Sequence, residues 1–334
     1  MNSHRSRAVG IALGFAADRA LADPVRLHPV AGFGRLALAL EDRLYPADVP
    51  GGGAVSGAAA ARARGIVFTA ALVGGTTLST ATLDRLLRRR PVVRTAATAA
   101  IVWACLGGTS LLRIAEAHAD LLARGDIPGS RTLLPWLCGR DPVALEADDL
   151  ARAVVESVAE NTADAAVATV FWAAVAGPAG AVAHRAANTL DAMVGHRSER
   201  YAGFGWASAR LDDVLGWPAA RLAGTLTAAL APLVAGSPRR AARIWLRDAR
   251  GHPSPNAGVV EAACAGALGV RLGGRTPYPY GVQMRQVLGD GPAPRPADVR
   301  RAGRLMRSVQ GAAAVAATVA AGMPGTVSVP ARRR

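Results

Sequence analysis

Three carboxylates stand four residues apart in VVESVAENTADAAVATVFW, which covers residues 154 to 172. On a helix, Glu156, Glu160 and Asp164 would share one face, because residues four apart are neighbours on its surface. Arg152 extends the row, but one arginine cannot neutralise three acids, and Asp164 adjoins an apolar run. A salt-bridged surface stripe is the alternative. We favour a site for a divalent cation or a cationic ligand.

Two further stretches hold residues suited to binding. In DPVRLHPVAGFG, residues 23 to 34, His28 is either a base or phosphate contact, or a loop histidine that faces water. In HRAANTLDAMVGHRSERYAGFG, residues 184 to 205, Asn188 and Asp191 are three apart and share a helical face. An amide beside a carboxylate predicts a cradle for a metal ion or an amine.

The stretch SARLDDVLGWPAARL, residues 208 to 222, places Arg210, Asp212 and Asp213 just before a segment that begins with proline. The helix macrodipole alone favours acids near a helix N-terminus, so these acids have an ordinary structural explanation as well as a functional one.

A rigid loop, GHPSPNAG, precedes the apolar run that starts near residue 257. If that run is a helix, its free N-terminal amides are suited to hold a phosphate. His252 and Asn256 would then project from a preorganised turn.

The composition favours a helical membrane protein. The chain has 334 residues, 51% of them hydrophobic and only 4% aromatic, with a positive mean hydropathy of +0.22. Its net charge of +15 is carried by arginine, because no lysine is present; this excludes a Walker-type phosphate loop and a pyridoxal phosphate Schiff base. The arginines form short clusters beside apolar runs, which is typical of cytoplasmic loops and not of nucleic-acid binding. The three widely spaced cysteines are interpreted as buried apolar residues.

The apolar runs predict an all-α fold, a polytopic integral membrane bundle whose polar loops carry the motifs. Some runs are expected to be re-entrant, buried or peripheral, because successive loops would otherwise lie on opposite sides of the membrane. No period-2 alternation indicates strands. We predict one domain, 1–334, with a flexible connector at 51–64 and an exposed Pro-rich loop at 289–300. Five windows are apolar enough to span: 65–83, 95–115, 165–187, 217–235 and 308–325.

Taken in order, DPVRLHPV, AVVESVAENTAD, NTLDAMVG, SARLDDVL and GHPSPNAG with LGVRLGG resemble the CobD/CbiB family of adenosylcobinamide-phosphate synthases. The resemblance runs from Asp18 to about Gly281, and it leads us to expect that the signal-peptide-like N-terminus is retained. The chain departs from the family pattern at four backbone or packing positions, which are Ala165, Thr169, Gly216 and Val259.

The resemblance implies a multi-pass cell-membrane enzyme of vitamin B12 synthesis. It would join aminopropanol, or its phosphate, by an amide bond to the free propionate of adenosylcobyric acid. ATP and Mg²⁺ are the expected cofactors, the corrinoid and the amine the expected substrates, and the bilayer and other cobalamin-assembly enzymes the expected partners. No pyridoxal phosphate and no nucleic acid is expected.

Under this interpretation the candidate residues take three roles. The catalytic candidates are His252, His28, Glu160 and Asp164. The candidates for substrate or nucleotide binding are Asp23, Asn161, Asn188, Arg210, Asp212, Asp213, Ser254 and Asn256. The metal-binding candidates are Glu156, Glu160, Asp164 and Asp191. Two alternatives remain open, a Mg²⁺-dependent intramembrane prenyltransferase and a cation-coupled transporter.

Overall fold

A computed structural model describes residues 3–24, 28–45, 55–196, 198–278 and 281–323. Within these residues the backbone forms fifteen α-helices and one antiparallel pair of strands. The helices are α1 (Ser3–Leu21), α2 (Pro29–Leu44), α3 (Val55–Thr69), α4 (Gly75–Leu86), α5 (Pro91–Cys105), α6 (Gly108–Ala123), α7 (Ile127–Leu133), α8 (Ala147–Thr162), α9 (Ala168–Ala176), α10 (Pro178–Val194), α11 (Tyr201–Phe204), α12 (Trp206–Ala229), α13 (Pro238–Asp248), α14 (Ala257–Leu268) and α15 (Pro296–Gly322). The strands are β1 (Leu272–Tyr278) and β2 (Gly281–Leu288).

Three helical segments are long and apolar enough to cross a membrane: Ala58–Arg89, Pro91–Ala123 and Ala147–Val194. The second breaks between α5 and α6, and the third breaks at Gly177, whose φ of 72° reverses the chain between α9 and α10. Both therefore consist of shorter helices. The helical prediction is confirmed for most of the chain.

The other two predicted spans fall in α12 and α15 and do not qualify among the described residues. Arginines and aspartates interrupt the apolar character of both helices, for example Arg210 and Arg221 in α12 and Arg304 and Arg307 in α15. One face of the apolar half of α15 is buried against neighbouring helices, which include α1, α8 and α9, whereas Val315 and Val319 are 65% and 52% exposed. The spans predicted at 217–235 and 308–325 are therefore absent from the candidate spans of the described residues, and as membrane crossings they stay predictions.

The hairpin corrects the expectation of a purely helical chain. Leu272 pairs with Leu288, and Tyr278 pairs with Gly281 across the turn, with a bulge near Gly273. The strands lack alternating hydrophobicity because Gly273 and Gly274 both have positive φ and most of β2 is exposed. Sequence periodicity therefore could not reveal them.

Two predicted loops are shorter than expected. Residues 55–64 belong to α3, because their alanine-rich sequence favours a helix over a flexible connector; residues 51–54 lie outside the described residues. At the other end, Pro296 occupies the first turn of α15, where proline is well tolerated, so the Pro-rich loop ends at residue 295. Residues 55–64 of the connector and 296–300 of the loop are therefore helical.

The acidic row begins in α8 and continues into a π turn, Ala163–Val167. Asp148 and Asp149 in the first turn of α8 favour the helix start through its dipole. The wider π turn leaves the Ala165 carbonyl free to accept the Gly107 amide at 3.1 Å, which joins this turn to the break before α6. The turn therefore fixes Asp164 at a junction of two chain segments.

A cluster of aromatic rings holds α2, α3 and α11 together. The Phe204 ring stacks on Tyr45 at 4.8 Å and contacts Phe68 at 5.0 Å between ring centroids. Gly65 in α3 lies directly against the Phe204 backbone, where a β-carbon would overlap the carbonyl oxygen. This close approach requires glycine.

We expect Gly65→Ala to lower the free energy of unfolding by at least about 1–3 kcal/mol. The added β-carbon would collide with the Phe204 backbone, which cannot rotate away as a flexible side chain can. Thermal unfolding in detergent, followed by circular dichroism, measures this. Gly75→Ala is the matched control: its β-carbon would meet nothing within 4 Å, so the helix propensity of alanine should leave stability unchanged or raised. Equal losses in both variants would contradict the packing argument.

Candidate active site

A cavity of about 640 Å³ lies between α8, α10, α12, the loop before α14 and the hairpin. Four of the five polar stretches meet in it. Eleven of the candidate residues line it: Glu156, Glu160, Asn161, Asp164, Asn188, Asp191, Asp212, Asp213, His252, Ser254 and Asn256. The remaining lining residues include Arg140, Tyr278, Gln283 and Arg285, which were not predicted from the sequence.

Three candidate residues do not line this cavity. His28 caps the start of α2, where its Nδ1 accepts the Val30 amide at 3.2 Å. The Asp23 amide donates to the Ser110 hydroxyl at 3.2 Å. Arg210 is exposed and pairs with Asp213 at 3.2 Å. The structure therefore gives His28 and Arg210 local structural partners instead of a place at the cavity wall.

One end of the cavity is built around buried arginines. Glu156 is 1% exposed, and its Oε2 accepts from Arg140 and from Arg285, the latter at 3.3 Å. Its Oε1 accepts the Gly273 amide at 2.7 Å. The predicted role of Glu156 as a metal ligand does not suit this geometry, because both oxygens already bind donors. Glu156 instead holds the two arginines in place.

Glu261 is the second acid at the arginine end. It lies in α14, whose twelve residues are all buried, and its Oε1 accepts from Arg285 at 3.2 Å. Its Oε2 has no hydrogen-bond partner among the described residues, and burial raises its pKa well above the ordinary value. Glu156 and Glu261 together face Arg140 and Arg285 at this end of the cavity. The two guanidinium groups carry more N–H donors than these contacts use, so this end retains donors for an anion.

His252 is fixed between the loop and the arginine end. Its Nε2 lies 2.5 Å from Arg285 Nη2, and its Nδ1 lies 3.1 Å from the Ser254 carbonyl oxygen. Because arginine only donates, Nε2 accepts from Arg285; Nδ1 also lies 3.1 Å from the Ser254 amide nitrogen, so the loop backbone presents both a donor and an acceptor to it. Burial, and then the charge of Arg285, lower the pKa of His252 to about 4. The predicted role of His252 as a near-neutral base does not fit this environment.

We expect His252→Gln to weaken substrate binding about tenfold with little change in kcat, because the imidazole positions Arg285 and transfers no proton. Initial rates at varied substrate concentration separate the two parameters. The activity of the variant should still fall at low pH, as the activity of the unmodified protein does. A fall in kcat together with loss of this pH dependence would restore His252 as the base.

The loop before α14 is satisfied internally. Ser254 Oγ accepts hydrogen bonds from the amides of Asn256 and Ala257 at 3.2 and 3.1 Å. These two donors are therefore occupied and do not form the predicted phosphate site. The Asn256 side chain accepts from Arg221 and donates to the Asp213 carbonyl, at 3.0 and 2.9 Å. A β-carbon at Gly216 would lie 2.6 Å from this amide. The departure at Gly216 therefore permits α12 and the loop to approach closely.

The other end of the cavity is acidic. Among the described residues, no arginine forms an ion pair with Glu160, Asp164 or Asp191. Asp212 receives a hydrogen bond from Asn188, yet burial and the charge of Asp191 raise its pKa to about 7. Its Oδ1 is buried and has no hydrogen-bond partner. The acidic end therefore has unmet capacity for a cation or a donor.

The donor types at the acidic end fit Mg²⁺, which prefers carboxylate oxygens. In the described part of the chain, no three His, Cys, Asp or Glu side chains approach closely enough to hold a metal ion by themselves. This does not oppose Mg²⁺, because that ion usually takes one or two carboxylates together with substrate phosphates and water. The geometry fits an ion shared with a phosphate and does not fit a closed protein cage.

Residues far apart in the sequence form the arginine end, which is why sequence reasoning missed it. Arg140 and Arg285 are recognised as site residues only through their contacts with Glu156. Glu261 did give a signal, as the single charged residue in the apolar run AGVVEAACAGAL. A lone acid within a buried helix is costly unless it is paired or neutral, so it marks a site worth testing.

Comparison with known proteins supports the same interpretation of the chain. The family model described as CobD/Cbib protein matches residues 11–306. The cobalamin biosynthesis protein CobD of Mycobacterium tuberculosis is 51% identical over 315 residues, which cover 94% of this chain and 96% of that protein. The protein of the same name from Chromobacterium violaceum is 43% identical over 289 residues, 86% of this chain and 88% of that protein. No solved structure matches the chain. The chain therefore belongs to the CobD/Cbib protein family.

Proposed function

We propose that the protein acts in cobalamin biosynthesis and forms an amide bond between the free propionate of adenosylcobyric acid and aminopropanol or its phosphate. The observation that carries the proposal is one cavity with two opposite ends. The acidic end suits an ammonium group, and the arginine end suits a carboxylate or a phosphate. The names of the relatives support the pathway, and the motif resemblance supports the reaction.

An amide does not form spontaneously from a carboxylate and an ammonium group in water, so we propose that ATP drives the step. A propionate oxygen attacks the γ-phosphorus of ATP, ADP leaves, and an acyl phosphate forms. The amine then attacks the acyl carbon, and phosphate leaves with the bonding electrons. The net products are the amide, ADP and phosphate.

The residues of the cavity divide this work. Glu160, Asp164 and Asp191 attract the ammonium form of the amine and bring it into the cavity. Asp212 accepts a proton from the ammonium nitrogen, which frees its electron pair; a pKa of about 7 suits this exchange. Arg140 and Arg285 bind the anionic partner.

Glu160, Asp164 and Asp191 are also the residues that would hold Mg²⁺ together with the nucleotide phosphates. When bound, Mg²⁺ would neutralise phosphate charge during phosphoryl transfer. The excess of acids over arginines at this end suits both an ammonium group and this ion.

We further propose a multi-pass location in the cell membrane, with the bilayer as a partner. The three long apolar helical segments support it. A cavity whose acids lie on α8 and α10, both within one such segment, would sit close to the membrane surface. Association with other cobalamin-assembly enzymes there would deliver the large corrinoid substrate.

Mass spectrometry of the reaction tests the proposed function. The purified protein in detergent is incubated with adenosylcobyric acid, ATP, Mg²⁺ and either aminopropanol or its phosphate. The expected product is heavier than the corrinoid by the amine minus one water. Absence of this product with both amines would overturn the proposal, and product formation without ATP would remove the acyl phosphate step.

A further inference from the structure

A second cavity, of about 570 Å³, lies apart from the candidate active site, between α2, α4, α5 and α10. Its volume is in the range of small-molecule binding sites. Its wall is mainly apolar, and six lining residues provide much of it: Phe33, Leu36, Leu72, Ile101, Cys105 and Val182. None of the residues that carry the proposed reaction lines this second cavity.

The three threonine hydroxyls in its wall are already satisfied. Thr76 donates to the Leu72 carbonyl at 2.7 Å, Thr80 to the Thr76 carbonyl at 2.8 Å, and Thr189 to the Arg185 carbonyl at 2.8 Å. Each threonine is therefore bonded within its own helix. The cavity suits hydrocarbon better than a polar metabolite.

The second cavity lies beside an exposed apolar surface. Leu36 at its rim is 56% exposed, and the neighbouring Leu78 is 67% exposed. Only 22% of the apolar window in Ala58–Arg89 is buried within the protein, so this segment turns most of its side chains outward. A ligand would thus enter from the hydrocarbon layer that such a surface requires.

Arg185 is the one charged residue among those lining the second cavity. It forms no ion pair within the described residues, and its Nε is buried without a hydrogen-bond partner. Two acids lie nearby: Asp164 interacts with it electrostatically, and Asp23 Oδ2 approaches Gly107 beside Arg185 Nη2. A guanidinium group left without an acceptor in an apolar wall is costly, and an anionic ligand oxygen would remove that cost.

We propose that the second cavity binds one anionic phospholipid from the bilayer, with an acyl chain inside and the phosphate at Arg185. The proposal rests on the membrane location given under the proposed function, and it is independent of the reaction. The apolar wall matches the acyl chain, and the exposed apolar surface beside the cavity suits entry from the bilayer. Arg185, which forms no ion pair among the described residues, matches the phosphate. The lipid would brace α2 against α4 and α10.

Photo-crosslinking in vesicles tests this proposal. The full chain is reconstituted in phosphatidylcholine vesicles containing a trace of phosphatidylglycerol with a photoactivatable acyl chain, and labelled peptides are identified by mass spectrometry. We expect labels in residues 71–80 and 101–105, and competition by unlabelled phosphatidylglycerol about tenfold stronger than by phosphatidylcholine. Arg185→Gln should abolish this preference.

Two glycine variants provide a matched comparison. Gly75 lines the second cavity and Gly74 does not, and a β-carbon at either would meet nothing within 4 Å. Gly75→Leu should lower the labelling about tenfold by filling the mouth, whereas Gly74→Leu should label like the unmodified chain. Since both replace glycine by a good helix former at adjacent positions, their folding serves as a mutual control.

Several outcomes would overturn the proposal. These are equal labelling of the two leucine variants, equal competition by the two lipids, and labelling only by a photoactivatable free fatty acid. The assay measures lipid contact and not amide formation, so its failure leaves the proposed reaction untouched. Failure of the chain to float with vesicles would instead refute the membrane location itself.

Discussion

Asp212→Asn is expected to lower kcat by about 10²- to 10⁴-fold, the usual contribution of a positioned proton acceptor. Asparagine has nearly the same shape but cannot take a proton from the ammonium nitrogen. The carboxyl of Asp212 is suited to this role because burial and Asp191 raise its pKa to about 7. Product formation under saturating substrates, followed by mass spectrometry, gives kcat for both proteins.

The pH dependence identifies the same group. In the unmodified protein, kcat/KM should fall about tenfold per pH unit below pH 7, because Asp212 becomes protonated there. The residual activity of the asparagine variant should lack this acid limb. An unchanged limb in Asp212→Asn would assign the titration to another residue.

Stability measurements separate catalysis from folding. The pKa of Asp212 in the folded protein lies above its ordinary value of 3.8, so the folded state binds this proton more tightly than the unfolded state. The carboxyl therefore destabilises the fold progressively as the pH rises from about 4 to about 7. Asp212→Asn should thus unfold at the same or a higher temperature at pH 8.

Asp213→Asn is the neighbouring control for activity. Arg210 pairs with the Asp213 carboxylate at 3.2 Å, so this carboxylate already has a cationic partner, unlike Asp212 in the described part of the chain. We expect a loss of less than about tenfold in kcat from this variant. A loss as large as that of Asp212→Asn would mean that both carboxylates act as one unit.

Glu156→Gln should lower the free energy of unfolding by about 3–5 kcal/mol, the usual cost of breaking a buried ion pair from one side. Its carboxylate is the shared partner of Arg140 and Arg285, whose side chains are only 5% and 13% exposed. Without that charge, Arg140 would lose its carboxylate partner among the described residues, and Arg285 would keep only Glu261. Thermal unfolding in detergent, monitored by circular dichroism, measures the loss.

Glu146→Gln tests whether burial causes this effect. Glu146 pairs with Arg131 at 3.1 Å, but its side chain is 77% exposed. Water screens such a pair, so the loss should stay below about 1 kcal/mol. If the two variants unfolded alike, the arginine end would not be the stabilising network that its contacts indicate.

The acidic half of the site could be predicted from the sequence, because its information is local. The four-residue spacing of Glu160 and Asp164 is visible without a structure, and the three-residue spacing of Asn188 and Asp191 is equally plain. The order of the motifs along the chain then linked these stretches to one another. The cavity brings these residues together, although their roles in binding and catalysis stay predictions.

The arginine half could not be predicted, because its contacts are long-range. Arg285 lies on a hairpin without hydrophobic alternation and reaches Glu156, 129 residues away in the sequence. The same limit applies to His252. Its ordinary pKa suggested a base, whereas its environment depends on burial and on Arg285, which no local pattern reveals. The helix breaks at Gly107 and Gly177 could not be predicted from composition either. Composition counts apolar residues and does not show where the chain changes direction.

The separation of acids and arginines across one cavity creates an electric field along it, and this field selects the direction in which a dipolar molecule enters. Aminopropanol phosphate carries a positive and a negative end, so one orientation is attracted at both ends and the reverse is repelled at both. Free aminopropanol uses only the acidic end and gains less alignment. Because salt screens partly buried charges less than exposed ones, this preference should persist at physiological salt.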